Sequence, residues 1–335
     1  MKILVLGGTQ FSGRSFVHQA IDAGHAVTLL HRSKADPGLP GPVRRLIGDR
    51  DPLQGDGLDQ IRGLLDAGER FDAVVDMCGY GPRVVAESAG LLRDAVDLYL
   101  FVSTISVYDR EGLGSIDEGS KKIELADPTV EEVTGETYGG LKVLCERVLS
   151  EIMGDRLCAI RPGVIAGAND PTDRFTWWTR VLATERAVVV PTEPSGVTQF
   201  IDARDLAAFF LRCIGQKRAG VFNVTGPEDG LATRGFIDRA HVALGSRTEL
   251  IEKDPAWLIA HGVEFWAGLP LVLAMDSQNM HHVSSARALD AGLTRRDLEE
   301  TVTQTRAWDI GRGEPELKAG LKMEKLRGVC DEARG

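Results

Sequence analysis

No two cysteines in this chain are spaced as C-x-x-C. The five present (Cys78, Cys145, Cys158, Cys213 and Cys330) are odd in number and widely scattered. That pattern indicates neither a zinc cluster nor a disulfide framework and fits a reducing, cytoplasmic compartment. Positive charge is also short: 39 Lys and Arg against 49 Asp and Glu leave a net charge of −10. A duplex-binding surface needs clustered basic side chains, so nucleic acid is not an expected partner. No apolar run approaches a membrane span. Met1-Lys2 leads straight into Ile3-Leu4-Val5-Leu6, too short for the apolar region of a signal peptide. Internal repeats and low-complexity tracts are absent. No metal site is expected either, because His281-His282 has no partner at ligand spacing and reads as surface or core.

What the chain does contain is enough apolar residue, 43% of 335, to bury a full core as one large domain or two joined lobes. Residues 2–6 read as a continuously apolar strand. The turn Gly7-Gly8-Thr9-Gln10-Phe11-Ser12-Gly13 follows, then a helix with Phe16, Val17, Ala20 and Ile21 at core spacing that stops at Gly24. A second strand spans Ala26–Leu30. Strand, glycine turn, helix and strand make a mononucleotide-binding unit, in which glycines admit a pyrophosphate to the backbone and the helix N-terminus presents N–H groups. The spacing departs from G-x-G-x-x-G, since Gln10 stands where a wider version would place its middle glycine.

Strand–helix alternation continues through Val43–Ile47, a polar helix (58–68), Phe71–Met77, a helix over 83–95 and Leu98–Ser103. The expected fold class is α/β, a Rossmann-type doubly wound parallel sheet with a smaller C-terminal α/β substrate lobe. Residues 1–165 are expected to form the dinucleotide domain, with 197–226 returning to it. Residues 166–196 and 227–312 are expected in the substrate lobe and 313–335 in a charged tail. Ligands of such sheets bind at the carboxyl ends of the strands, where Gly7, Thr9, Gln10, Phe11, Gly13, His31, Asp49, Cys78, Gly79 and Thr104 fall. The second strand ends in His31-Arg32-Ser33-Lys34 with no carboxylate for a ribose 2′-hydroxyl, which points to NADP rather than NAD. Asp49 suits either an adenine amino group or a local turn.

Tyr138 and Lys142 are four residues apart, hence one turn apart on one face of a helix that Leu141, Leu144, Cys145, Val148, Leu149 and Ile152 support. A free tyrosine ionises near pH 10, and an adjacent ammonium favours the phenolate. The pair is thus a candidate acid/base device, although Tyr-x-x-x-Lys also occurs in helices where both residues are merely solvated.

Together the opening Gly-Gly-Thr-Gln-Phe-Ser-Gly, the segment Phe101-Val-Ser-Thr-Ile-Ser-Val-Tyr108 and Tyr138-x-x-x-Lys142 resemble the extended short-chain dehydrogenase/reductase family, also called the NAD-dependent epimerase/dehydratase family. Arg161-Pro162-Gly163, Gln199–Ala207 and Gly220–Val224 resemble its later landmarks, so the likeness spans roughly residues 2 to 310. The Gly-Gly-Thr-x-Phe-x-Gly form is most similar to an atypical branch that includes chloroplast stem-loop RNA-binding proteins. The resemblance implies Tyr138 as acid/base, Lys142 as the group that lowers its pKa and holds the nicotinamide ribose, and Thr104 as the hydrogen-bond donor to the reacting oxygen. Ser103, Arg161 and Gly163 are implied on the cofactor side, and pairing of two copies through the Tyr/Lys helix is implied as a homodimer. Ile105-Ser106 replaces the Asp-Glu pair of family dehydratases. Thr198-Gln199 stands where a phosphate-gripping arginine often lies, which tells against a nucleotide-sugar substrate.

On the substrate side Tyr80, Ser106, Asp173, Arg174 and Trp177 are candidates. Equally, Trp177-Trp178 reads as lobe core and Asp173-Arg174 as a local ion pair. A helix over Pro315–Val329 is read as an oligomer contact or a fraying end. The expected activity is an NADP-dependent oxidoreductase interconverting a secondary alcohol and a ketone on a polar, sugar-like small molecule. An epimerase working through a transient keto intermediate is the near alternative, and an RNA-binding or cofactor-sensing protein without turnover the distant one.

Overall fold

The computed structural model describes residues 1–33, 38–39, 41–109, 114–192, 196–273 and 282–335. The chain divides into two compact units: Met1–Gly163 with Arg204–Val224 and Ser284–Thr294, and Val164–Ala203 with Thr225–Val283 and Arg295–Gly335.

The first unit runs β1 (Lys2–Leu6), α1 (Phe11–Asp22), β2 (Ala26–His31), β3 (Arg44–Ile47), α2 (Gly57–Asp66), β4 (Phe71–Asp76), α3 (Pro82–Leu92), β5 (Val96–Val102), α4 (Tyr138–Met153) and β6 (Leu157–Pro162). A later strand, Gly220–Val224, joins at the edge, giving the order Gly220–Val224, β6, β5, β4, β1, β2, β3. Every neighbouring pair is parallel. Parallel strands covered on both faces must be apolar throughout, and residues 3–6 and 98–101 are fully enclosed. The winding direction reverses between β1 and β4. Leu6 is in register with Asp76 there, and sheets of this kind bind their ligands beyond the carboxyl ends at such a reversal.

Ser284–Thr294 belongs to this first unit, not to the second lobe where the sequence placed it: the Ser284 amide donates to the Ile116 carbonyl at 2.7 Å. Strand Phe200–Asp202, expected in the sheet, instead pairs with Val164–Ala166 inside the second unit.

The second unit packs around helix Arg174–Thr184, which buries Phe175, Trp177, Trp178, Val181 and Leu182. Strands Ala187–Pro191 and Glu249–Lys253 pair in parallel beside it. The expected charged tail is a core element. Its helix spans Met323–Arg334, later than predicted, and buries Leu326, Val329, Cys330 and Ala333 in the unit's hydrophobic cluster.

Candidate functional site

The site is built from the carboxyl ends of the first unit's sheet. Leaving β1, the chain takes positive φ at Gly7 (89°) and Gly8 (83°), a conformation that costs glycine little. A Cβ on Gly13 would stand 2.6 Å from the Gly8 Cα, so the first turn of α1 reaches the glycine turn only because Gly13 has no side chain. Gln10 occupies the N-cap position without a side-chain cap, which leaves the amide groups of the first turn available to an anion. Thr9 and Phe11 complete this turn and are partly exposed.

His31 closes β2 with its ring buried and neither nitrogen hydrogen-bonded, and burial with nearby Arg45 lowers its proton affinity. Arg32 and Ser33 project outward beyond it. The Arg32 side chain is 82% exposed, with its guanidinium 3.7 Å from Asp49. Lys34 lies outside the described residues. Asp49 serves its own turn, accepting from the Asp51 amide at 2.9 Å.

Past β4, Cys78 lies against the glycine turn, its sulfur 3.2 Å from where a Gly7 Cβ would be, and burial pushes the thiol's pKa up. Beneath it is a polar cluster that sequence reasoning missed. Asp76 accepts from Arg50 at 2.6 Å, from Tyr99 at 2.8 Å and from the Cys78 amide at 3.2 Å, while Arg50 also reaches Ser88. A carboxylate closing the apolar run Ala73–Val75 was the available signal, because a buried charge requires a partner.

At the neighbouring strand end, Thr104 accepts from the Ser106 amide at 3.1 Å and donates to the Ser106 hydroxyl at 3.2 Å. It thereby caps the short turn Ile105–Val107. α4 begins at Tyr138, and the nearby Thr104 side chain favours the ionised form of its phenol. Tyr80 brings its ring to 6.4 Å from that of Tyr138. Tyr138, Thr104, Ser106 and Tyr80 thus converge.

Lys142 is nearby but otherwise engaged. Its ammonium donates to the Val102 carbonyl at 2.7 Å and lies 4.7 Å from the Phe101 ring centre and 4.8 Å from that of Tyr80. Burial brings its pKa down to about 8. The Tyr138 phenol is raised by burial and by Tyr80 and lowered only by Thr104. The expected acidification of Tyr138 by Lys142 is therefore not present in this state, because the ammonium faces a carbonyl and two rings.

Ser103 and Arg161 face inward. The Ser103 hydroxyl donates to Glu146 at 2.6 Å, and Arg161 grips Glu146 at 2.8 and 2.5 Å and the Tyr108 hydroxyl at 2.7 Å. Tyr108 donates to Asn223 at 2.6 Å. With 1% of its surface exposed, Arg161 is a structural cation, which corrects its expected place on the cofactor side. Gly163 extends the ladder, its amide donating to Val224 at 3.0 Å. Glu146 was also missed, although it sits one turn beyond Lys142 on the same helix face.

Of the candidates in the second unit, Asp173 is buried between Arg312 (2.7 Å) and the Lys318 amide (3.2 Å). Trp177 is fully buried, its indole N–H donating to the Leu321 carbonyl at 3.0 Å. Both are parts of the core, contrary to the substrate role considered for them. Arg174 stacks its guanidinium over Trp266 at 5.3 Å. Gln199 is fully buried, its amide nitrogen donating to Pro227 at 2.7 Å and to Val283 at 3.1 Å. Among the described residues no cluster of His, Cys, Asp and Glu could hold a metal ion, and no helix is long and apolar enough to cross a membrane.

This sheet order, glycine turn and Tyr-x-x-x-Lys helix define the class: the chain has the fold of the NAD-dependent epimerase/dehydratase, or extended short-chain dehydrogenase/reductase, proteins. No protein-family model matches the chain. It is 28% identical over 331 residues to the chloroplast stem-loop binding protein of 41 kDa b of Arabidopsis thaliana, covering 93% of this chain and 80% of that protein. Among solved structures it is similar to the UDP-N-acetylglucosamine 4-epimerase of Bacillus cereus, with TM-score 0.66 and 16% identity over 92% of this chain and 98% of that one. It is similar also to the UDP-glucose 4-epimerase of Bifidobacterium longum in complex with NAD+ and UDP, with TM-score 0.65 and 17% identity over 94% and 99%.

Proposed function

We propose that the protein is a nicotinamide-dependent enzyme that interconverts a secondary alcohol and a ketone on a polar, sugar-like small molecule. The observation that carries the reading is the convergence of Tyr138, Thr104, Ser106 and Tyr80 beyond the carboxyl ends of β4 and β5, in the same unit as the Gly7–Gly13 turn. The glycine turn and the start of α1 would hold the pyrophosphate, Tyr80 and Ser106 would border the substrate, and Arg32 and Ser33 would favour the 2′-phosphate of NADP. The nicotinamide supplies or accepts the hydride. Tyr138 moves the proton at the substrate oxygen and Thr104 orients that oxygen, so that hydride and proton change hands on one carbinol.

An epimerase is the second reading, favoured by the likeness to two UDP-sugar 4-epimerases. Gln199, locked in backbone hydrogen bonds, offers no cation to a diphosphate, which supports a smaller polar substrate. Turnover of candidate ketones with NADPH, and of the matching alcohols with NADP+, separates the two: net oxidation of NADPH supports a reductase, and inversion of the alcohol with NADP+ without net cofactor reduction an epimerase. Tyr138→Phe should lower kcat by about 10²–10⁴-fold with dinucleotide affinity retained. An unchanged kcat would remove the enzyme reading. Tight, salt-sensitive binding of a stem-loop RNA without turnover would replace it with the role printed in the name of the Arabidopsis relative.

A further inference from the structure

Lys142 is held as if in a closed hand. Its ammonium, 2% exposed, donates to the Val102 carbonyl and lies between the faces of Phe101 and Tyr80, within cation–π reach of both. Phe101 is a fixed wall at the end of β5. Tyr80 is not: 46% of it is exposed, and it belongs to the short connection between β4 and α3. The next residue, Gly81, has open space where a Cβ would be. The ring that covers the ammonium can therefore move without disturbing the sheet, whereas the rest of the enclosure cannot.

We propose that Tyr80 is a positioning residue that clamps the Lys142 ammonium against Phe101 and the Val102 carbonyl, and that a bound dinucleotide displaces the Tyr80 ring and frees Lys142 to act on Tyr138. This rests on the cofactor reading above and deepens it. The Tyr80 ring lies beside both Tyr138 and Lys142, so it borders the two groups that a dinucleotide would have to reach. Clamped, the lysine leaves the phenol without an ammonium partner, consistent with the raised proton affinity of Tyr138. Released, it gains ribose hydroxyls and the phenol as neighbours. Acid/base competence is thereby tied to cofactor occupancy, and the empty site stays chemically quiet.

The charged and titratable groups acting on Lys142 come from several elements: Asp76 and Cys78 at the end of β4, Arg50 after β3 and Cys145 on its own helix. Burial outweighs them all and lowers the lysine. Replacing Tyr80 leaves each of these groups in place and removes only the movable cover. Water then reaches the ammonium, so Lys142 should hold its proton to higher pH.

The test uses the full chain labelled with ε-¹³C-lysine, the Lys142 resonance being assigned by its loss in Lys142→Met. In the free wild type this resonance should titrate near pH 8. Tyr80→Phe keeps the ring and should leave the titration unchanged, while Tyr80→Ala should raise it by about one pH unit or more. Saturating NADPH should move the Lys142 resonance strongly in wild type and Tyr80→Phe and weakly in Tyr80→Ala, where the cover is already gone. A folded Tyr80→Ala protein, judged by circular dichroism, whose Lys142 titrates as in wild type overturns the clamp. Calorimetric NADPH binding to wild type that leaves the Lys142 resonance in place overturns the release. Should neither NADPH nor NADH bind, the cofactor reading falls and the release step with it, whereas a moved titration in Tyr80→Ala would still establish the clamp.

Discussion

Arg161 meets Glu146 through two parallel contacts, Nε to Oε1 at 2.8 Å and Nη2 to Oε2 at 2.5 Å, joining β6 to α4 beneath the Tyr/Lys helix face. Both side chains are buried, so removing one leaves an uncompensated charge in low dielectric. Arg161→Met should therefore cost about 3–5 kcal/mol of stability in urea denaturation. Because the guanidinium faces Glu146, Tyr108 and the Glu118 carbonyl, NADPH affinity per folded molecule should stay within about threefold, less than 1 kcal/mol. A loss of affinity at unchanged stability would return Arg161 to the cofactor site.

Lys142 should leave a mark on stability against pH. Its folded pKa is lowered to about 8 from 10.5. Between those values the unfolded chain carries a proton that the folded chain has released, so unfolding takes up a proton and stability rises with pH across that window. Below pH 8 both states are protonated and the cost of the buried charge is present in full. The stability difference between Lys142→Met and wild type should shift in favour of wild type by a few kcal/mol, about 3 at most, from pH 8 to 10.5. A flat difference in denaturant titrations would refute a buried, depressed lysine.

Coenzyme preference should reside in the residues after β2. Arg32 is 82% exposed and only loosely near Asp49, so it is available to a phosphate. Removing Arg32 and Ser33 together (Arg32→Ala, Ser33→Ala) should weaken NADPH binding by about tenfold or more, the value of one or two charge-assisted hydrogen bonds, and leave NADH within about threefold. Equal losses for both coenzymes, measured by calorimetry, would mean the 2′-phosphate is not read there.

Asp173 offers a contrasting case. Its carboxylate is buried against Arg312 and the Lys318 amide, so Asp173→Asn should lower stability by about 2–4 kcal/mol without changing KM for any substrate turned over. A changed KM at wild-type stability would restore the substrate role.

The dinucleotide sheet was legible because β1, β4 and β5 carry the apolar runs Ile3–Leu6, Ala73–Val75 and Leu98–Val102, and glycine marks the exits of β1 and β4. The start of α4 at Tyr138 followed from helical spacing in the same way. The direction in which polar side chains point was not legible. Arg161, Ser103 and Asp173 lie in segments expected near the site, yet each turns to a partner on another element, 15, 43 and 139 residues away, and no local pattern records such pairings. Glu146, which holds both Ser103 and Arg161, and Asp76, which holds Arg50, were missed because the sequence does not show which cation or hydroxyl meets a given carboxylate. Lys142 failed in a subtler way. Helix geometry fixes its distance along α4 from Tyr138, but its long side chain has a choice of acceptors, and here it takes Val102.

A Cβ on Gly79 would meet Phe101 at 2.7 Å, Val85 at 2.8 Å and the Asp76 carboxylate at 3.0 Å, whereas one on Gly81 would meet nothing within 4 Å. Tolerance to mutation should therefore differ sharply between these two glycines: position 79 is closed to any side chain, while position 81 is open to one. Divergent descendants of this chain can acquire side chains at 81, beside the Tyr80 ring, with the sheet beneath inherited intact.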